Sequence, residues 1–297
     1  MRKTIKRLLI TGGTGFIGRN LIEKLAKKYE LVCIIKDLSY KRDDIKIIHG
    51  DILDDSSVKA AVMGVDAVVH LAAILDSSDK NIEKVNVGAT HLLVDSAKKA
   101  GVKKFVFIST ENVFYDDFDD AYSKTKRLAE KIVKHAFKNY LILRPTVVYG
   151  RHDKRYVGSL VEVAKRYKVL PIPGDGKRLF QPVYVDDIIK CIENGLKYDV
   201  KGKYVVAGPS KISYNDFTRA LLEQLGVKAR VLHIPLRMLK AAKLLSKVMK
   251  TRMSRFQIKS LETDKAYDIE ASIRALKYKP TPLKAGLKKT LKFFKPL

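Results

Sequence analysis

The 297-residue chain is long enough to bury a full core, and its 46% hydrophobic content marks it as globular rather than disordered. Its formal net charge of +27 attracts polyanions, yet aromatic residues are not interleaved with the basic ones as a single-strand binder requires, so nucleic acid is disfavoured as a partner. The only cysteines are Cys33 and Cys191, which excludes a disulfide framework and a cysteine zinc cage. No metal site is expected, and a reducing cytoplasm is the expected compartment.

Met1-Arg2-Lys3 leads into an apolar run too short for a secretory leader. The apolar stretch 60–75 is interrupted by Asp66 and His70, so no membrane span is expected. In chain order, residues 8–11 read as a strand, 16–28 as a helix, and 31–35 and 45–48 as strands. Residues 67–71 and 105–109 read as buried strands, 82–100 and 119–137 carry helical spacing, and the strand 141–144 ends at Pro145. Strands alternating with helices imply right-handed crossovers and a parallel sheet covered on both faces. The expected class is therefore α/β, a Rossmann-type doubly wound sheet.

From about residue 150 the rhythm loosens, with Pro171, Pro173, Gly174 and Gly176 marking loops. The expected organisation is a large domain over 1–150 with returning segments at about 183–207, and a smaller lobe from 151–182 and 208–297.

Thr11-Gly-Gly-Thr-Gly-Phe-Ile-Gly18 follows a strand and opens a helix. In that context Gly12 allows a tight turn, Gly15 lets a pyrophosphate approach backbone N–H groups, and Gly18 permits close helix–strand packing. This is a dinucleotide cradle. Lys36 stands where an acid that bonds the adenosine ribose is expected, with Asp37 next and Lys41 and Arg42 close by. A cation there suits a 2′-phosphate, so NADP is favoured over NAD; a one-residue shift that gave the place to Asp37 would reverse this.

Tyr122 and Lys126 lie four apart in Ala-Tyr-Ser-Lys-Thr-Lys, which puts both on one helical face. There an ammonium stabilises a phenolate and lowers the phenol pKa from about 10.

These motifs together resemble the extended short-chain dehydrogenase/reductase family, also called the NAD-dependent epimerase/dehydratase family, over nearly the whole chain. Further matching segments are His49-Gly50-Asp51-Ile52-Leu53-Asp54, His70-Leu71-Ala72-Ala73, Asn86-Val87-Gly88-Ala89-Thr90, Ile108-Ser109-Thr110, Leu143-Arg144-Pro145-Thr146-Val147-Val148-Tyr149-Gly150 and Val183-Tyr184-Val185-Asp186-Asp187. The resemblance implies Tyr122 as general acid/base, Lys126 as the residue that lowers its pKa and holds the nicotinamide ribose, and Thr110 as hydrogen-bond partner of the reacting oxygen. It assigns cofactor contacts to Gly12, Gly15, Phe16, Ile17, Gly18, Lys36, Asp51, Ile52, Leu71, Ala72, Ala73, Asn86, Pro145 and Val148 as well. A homodimer through the helix from Ile82 and the helix carrying Tyr122 is also implied.

Departures from the family pattern narrow the substrate. The acidic pair used for water elimination in 4,6-dehydratases is Glu111-Asn112 here, which disfavours dehydration. Phe180 occupies the place of an arginine that clamps the diphosphate of sugar nucleotides; Arg178, two positions earlier, is the candidate to replace it. Tyr115 follows Val113-Phe114 where Val-Tyr-Gly is usual, a change at the pocket floor. The expected small-molecule substrate is a nucleoside-diphosphate sugar undergoing 4-epimerisation or 4-keto reduction. The alternatives are an apolar, membrane-associated alcohol or ketone, and a non-catalytic subunit similar to the short-chain-dehydrogenase-like subunit of respiratory complex I.

The stretch 228–259 holds ten Lys or Arg and no acid. Within it, Arg237, Lys240, Lys243, Lys247 and Lys250 share one helical arc. Three readings stand: a lobe helix with a solvated basic face, a helix in peripheral contact with a membrane surface, and a rim that steers phosphates.

Overall fold

The structure, a computed structural model, describes residues 5–115, 120–238 and 262–294. Its contacts divide the chain into two units: Met1–Pro145 with Asp186–Val206 and Ile269–Tyr278, and Thr146–Val185 with Ala207–Asp268 and Lys279–Leu297.

The first unit is built on β1 (Arg7–Thr11), β2 (Glu30–Ile35), β3 (Lys46–His49), β4 (Ala67–His70), β5 (Lys104–Ile108), β6 (Tyr140–Pro145) and the strand Gly202–Val206. They form a seven-stranded sheet in the order Gly202–Val206, β6, β5, β4, β1, β2, β3, with every neighbouring pair parallel. Helices α1 (Phe16–Leu25), α2 (Asp55–Val62), α3 (Thr90–Lys99) and α4 (Ala121–Ala136) make the crossovers. Because both faces are covered, the strands are runs of apolar residues rather than alternating ones; Leu8, Leu9, Ile10, Val68, Val69, Phe105 and Val106 are fully buried. Strand order reverses beside β1. In open α/β sheets a ligand binds in the crevice at the carboxyl ends of the strands flanking such a point, here β1 and β4.

Three local features differ from the periodicity reading. The expected helix 82–100 opens with a π-helical turn, Lys84–Ala89, before α3. Such turns are common at functional sites. α2 was not expected at all, although its signal is present: the Asp54 carboxylate accepts the Ser57 amide at 2.7 Å as an N-cap. The segment Ile269–Tyr278, expected in the smaller lobe, groups with the sheet unit. The buried Asn194 amide donates to the carbonyls of Leu276 and Lys277 at 2.7 and 2.9 Å, and Leu276 and Tyr278 are buried.

The second unit holds the helices Val157–Tyr167, Tyr214–Leu225 and Leu283–Leu291 with short strand pairs. Val148–Tyr149 pairs with Val183–Tyr184, Val169–Pro173 with Arg230–Ile234, and Leu179–Phe180 with Ile212–Ser213. Gln181 knots its segments: its amide donates to Gly208 O, its Oε1 accepts the Tyr267 N–H, and its carbonyl accepts the Thr146 hydroxyl. Among the described residues no helix is long and apolar enough to cross a membrane. The basic helix expected over 236–250 lies, from residue 239 onward, outside the described residues.

Candidate active site

The glycine turn after β1 is shaped by close approach. Gly12 has φ +72°, and a Cβ there would sit 2.7 Å from Ala72 N and 2.9 Å from the Leu71 carbonyl carbon. A Cβ on Gly18 would collide with Gly12 O, so the first turn of α1 lies directly on the loop. Gly15 caps α1 and has no side chain to fill the space before it, and Phe16, Ile17, Gly18 and Arg19 bring no acid to the first turn. The helix N-terminus therefore presents N–H groups and a positive dipole end to an incoming anion. These residues fit a dinucleotide pyrophosphate.

A buried hydrogen-bond chain fixes the facing loop. Thr11 Oγ1 accepts the amides of Leu71 and Ala72 at 3.3 and 3.2 Å, so its own proton goes to His70 Nδ1, 2.6 Å away. His70 Nε2 then donates to Thr90 Oγ1 at 2.9 Å, and Thr90 donates to Asn86 O at 2.7 Å. This tautomer is neutral: burial, and secondarily the Lys126 charge, push the imidazole pKa down to about 3. His70 is thus a structural tie between β1, β4 and α3. Asn86 is likewise committed to the chain. Its Oδ1 accepts Ile74 N, and its Nδ2 donates to Ile74 O and to Thr125 Oγ1, at 2.8, 2.9 and 3.1 Å. It orders the loop holding Leu71, Ala72 and Ala73.

At the end of β2, Lys36 Nζ pairs with Asp51 Oδ2 at 2.9 Å, which brings two expected adenosine-end residues together. The Lys36 hydrogen bond, joined by the Leu53 amide, holds the Asp51 carboxyl below the usual range. Asp37 turns away into its own loop, accepting the Ser39 amide and hydroxyl at 2.9 and 2.6 Å. Arg42 is engaged bidentately by Asp44. Ile52 packs against the core below.

α4 carries the expected acid/base pair, Tyr122 and Lys126. Asp120 caps it, accepting the Ser123 amide at 2.9 Å, and its other oxygen accepts the Ser77 hydroxyl. Tyr122 is half-buried at the start of the helix. One turn on, Lys126 is 2% exposed; its Nζ donates to Ile108 O at 2.6 Å and sits 4.0 Å from the Phe107 ring centre. Burial pushes its pKa down to about 7, opposed by the Glu130 charge. Thr110, buried at the end of β5, caps the short helical turn 111–114 by accepting the Asn112 amide at 3.3 Å. The carbonyl that receives Lys126 is thus two residues from Thr110.

The expected substrate contacts sit in the second unit. Phe180 is 2% exposed, stacked on Tyr214 at 4.6 Å and edge-on to Phe217 at 5.3 Å. It is part of the aromatic core of that unit. Arg178 is 54% exposed, 3.9 Å from Asp264. Val148 pairs with Val183, and Pro145 ends β6 opposite Val206. The sequence reading missed His70 as a tie, Ser77 and Asp120 as the clasp of α4, and Glu130 beneath Lys126. Only Asp120 and Glu130 had a signal, as an acid before a helix and an acid at i+4 from the lysine.

The Arabidopsis thaliana 3beta-hydroxysteroid-dehydrogenase/decarboxylase isoform 2 is 27% identical over 357 aligned residues, covering 99% of this chain and 63% of the relative. The Dictyostelium discoideum dTDP-D-glucose 4,6-dehydratase is 27% identical over 271, covering 73% of this chain and 62% of the relative. This chain therefore spans less than two thirds of the length of either. The solved structure of UDP-glucuronic acid 4-epimerase from Bacillus cereus, in complex with UDP-glucuronic acid and NAD, shares the fold with a TM-score of 0.79 at 23% identity, covering 97% of this chain and 98% of that one. The glycine cradle, the Tyr-x-x-x-Lys helix and a family match over residues 8–207 agree: the chain belongs to the NAD dependent epimerase/dehydratase family.

Proposed function

We propose that the protein is an NADP-dependent oxidoreductase or epimerase that acts at a secondary alcohol or ketone of a nucleoside-diphosphate sugar. The observation that carries this reading is Lys126, held fully buried one helical turn from Tyr122 with its ammonium on the last residue of β5, two residues before Thr110. Gly12, Gly15, Gly18 and the N-terminus of α1 would hold the pyrophosphate, and Lys36 the adenosine 2′-phosphate. When bound, the nicotinamide accepts or returns a hydride.

Tyr122 removes the proton from the substrate hydroxyl, or delivers it to the ketone. Lys126 stabilises the phenolate, and Thr110 donates a hydrogen bond to the reacting oxygen. Asn112, an amide where a dehydratase places its acid, cannot serve as the base for elimination. Exchanging Tyr122 for Phe removes the proton and leaves the packing. It should lower turnover at least about 100-fold with little change in cofactor affinity. The test is NMR of UDP-, dTDP- and GDP-sugars incubated with the protein and NADP or NAD, and a Tyr122→Phe variant of unchanged activity would sink the mechanism.

A second reading, an apolar alcohol or ketone as substrate, is favoured by Phe180, which places no guanidinium at the diphosphate-clamp position. Its similarity to a hydroxysteroid dehydrogenase supports the same reading. Turnover of a 3-hydroxysteroid, with none across the sugar-nucleotide panel, would select it.

Cofactor choice is tested separately. Lys36→Ala should weaken NADP binding about tenfold, equivalent to about 1.4 kcal/mol, and leave NAD binding nearly unchanged. Equal losses for the two, by fluorescence titration, would remove Lys36 from the 2′-phosphate site.

A further inference from the structure

Below Lys126 lies a second set of charges that neither the glycine cradle nor the acid/base pair accounts for. Glu130, one turn further along α4, is 2% exposed. The Arg144 guanidinium of β6 engages it bidentately, Nε to Oε1 at 2.8 Å and a terminal nitrogen to Oε2 at 2.6 Å. Lys203, from the edge strand Gly202–Val206, donates to the same Oε2 at 2.9 Å. Burial pushes the Glu130 carboxyl up, but hydrogen bonds led by that of Arg144 outweigh it and keep the group ionised.

The other face of Arg144 lies over the Phe114 ring, 4.7 Å from its centre, and Arg127 donates to Val113 O at 3.1 Å. Both contacts fall on the helical turn that Thr110 caps. One ion cluster therefore joins three parts of the structure: the helix of Tyr122 and Lys126, the segment of Thr110, and the sheet edge.

We propose that Glu130, Arg144 and Lys203 form a positioning cluster around a buried carboxylate that registers the Thr110 segment against α4 and places a fixed charge one turn from Lys126. The inference rests on the assignment of Lys126 to the catalytic site. Its physical content is a balance of signs. Glu130 favours the ammonium, whereas Arg144 and Lys203, both bonded to that carboxylate, are cations that weaken its effect. Among the described residues, His70 on β4 is neutral, and β5 offers the Ile108 carbonyl and the Phe107 ring. On α4 itself Tyr122 and Thr125 precede it. Two natural handles thus act on one ammonium in opposite directions.

The experiment is an NMR titration of the full chain labelled with 13Cε-lysine, from pH 5 to 10, in which the Lys126 signal is identified by its absence in Lys126→Met. Glu130→Gln should move the Lys126 midpoint down, and Lys203→Met should move it up, each by about half a pH unit or more. Opposite shifts support the cluster as an electrostatic device. A purely structural role would leave the midpoints together, and midpoints that stay within about 0.2 pH unit of the parent, or move the same way, overturn the proposal. If Glu130→Gln fails to fold, Lys203→Met decides alone, because Lys203 is partly exposed and an unmoved midpoint there is equally fatal. The readout is the lysine's own titration, so it stands apart from turnover; loss or retention of turnover in Lys126→Met judges the catalytic assignment separately.

Discussion

Lys126→Met is expected to abolish turnover and, at the same time, to stabilise the fold. The side chain is fully buried, and its pKa is pushed from its ordinary value of 10.5 to about 7. Between these values the unfolded chain binds more protons than the folded one, so the parent gains stability as pH rises through that window. Below about pH 7 both states carry the ammonium and the full burial penalty is present. A shift of this size corresponds to about 5 kcal/mol, since each unit is about 1.4 kcal/mol. Loss of the Lys126–Ile108 hydrogen bond offsets about 2 kcal/mol of that.

The net gain is therefore about 3 kcal/mol at pH 6, or a rise in Tm of about 5 °C. It should shrink as pH approaches 10, where the parent has already shed the proton. Turnover should fall at least about 100-fold, because the phenolate of Tyr122 loses its counter-charge. Thermal melts of both proteins at pH 6 and pH 9.5 check the claim, and a variant less stable at pH 6 would contradict it. A residue that destabilises its fold and remains is what a functional site looks like energetically.

Gly12→Ala should unfold or disable the protein, and Gly88→Ala should do neither. At Gly12 the backbone is left-handed at φ +72°, and the added carbon meets backbone atoms of Leu71 and Ala72 that cannot rotate away. The dihedral strain is about 1–2 kcal/mol, and the overlap adds about 1–3 kcal/mol. Relief of the clash would move the loop 71–74 away from β1 and break the Thr11 hydrogen bonds that hold it, so dinucleotide affinity should drop by more than about 100-fold. At Gly88 a Cβ meets nothing within 4 Å, and φ there is negative. That variant should keep cofactor binding and gain up to about 1 kcal/mol from the helix propensity of alanine. Paired melts and cofactor titrations are the test; equal behaviour of the two variants would mean that close approach at Gly12 is not what matters.

Much of this site was legible in the sequence because its chemistry is local. A glycine turn between a strand and a helix needs residues only a few positions apart, and a Tyr–Lys pair four apart shares a face wherever a helix forms. Alternation of apolar strands with helices was enough to give a parallel doubly wound sheet, and the family match over 8–207 agrees with the motifs that carried the resemblance. Local capping was readable in principle but weak: the acid at Asp54 announced a helix that periodicity alone did not, because α2 is short.

What the tertiary structure alone decided depends on partners distant along the chain. His70 meets Thr11 across 59 positions, and Glu130 meets Lys203 across 73. No spacing rule connects such residues, since their distance is set by strand order in the sheet. The same holds for Phe180, which the sequence placed at a substrate-clamp position and the fold placed in an aromatic core with Tyr214 and Phe217. It holds for Lys36, whose partner Asp51 lies at the far side of a crossover. Charge state follows the same division: sequence supplied the lysine at 126, but its depressed proton affinity comes from burial, which only the packed sheet and helices create.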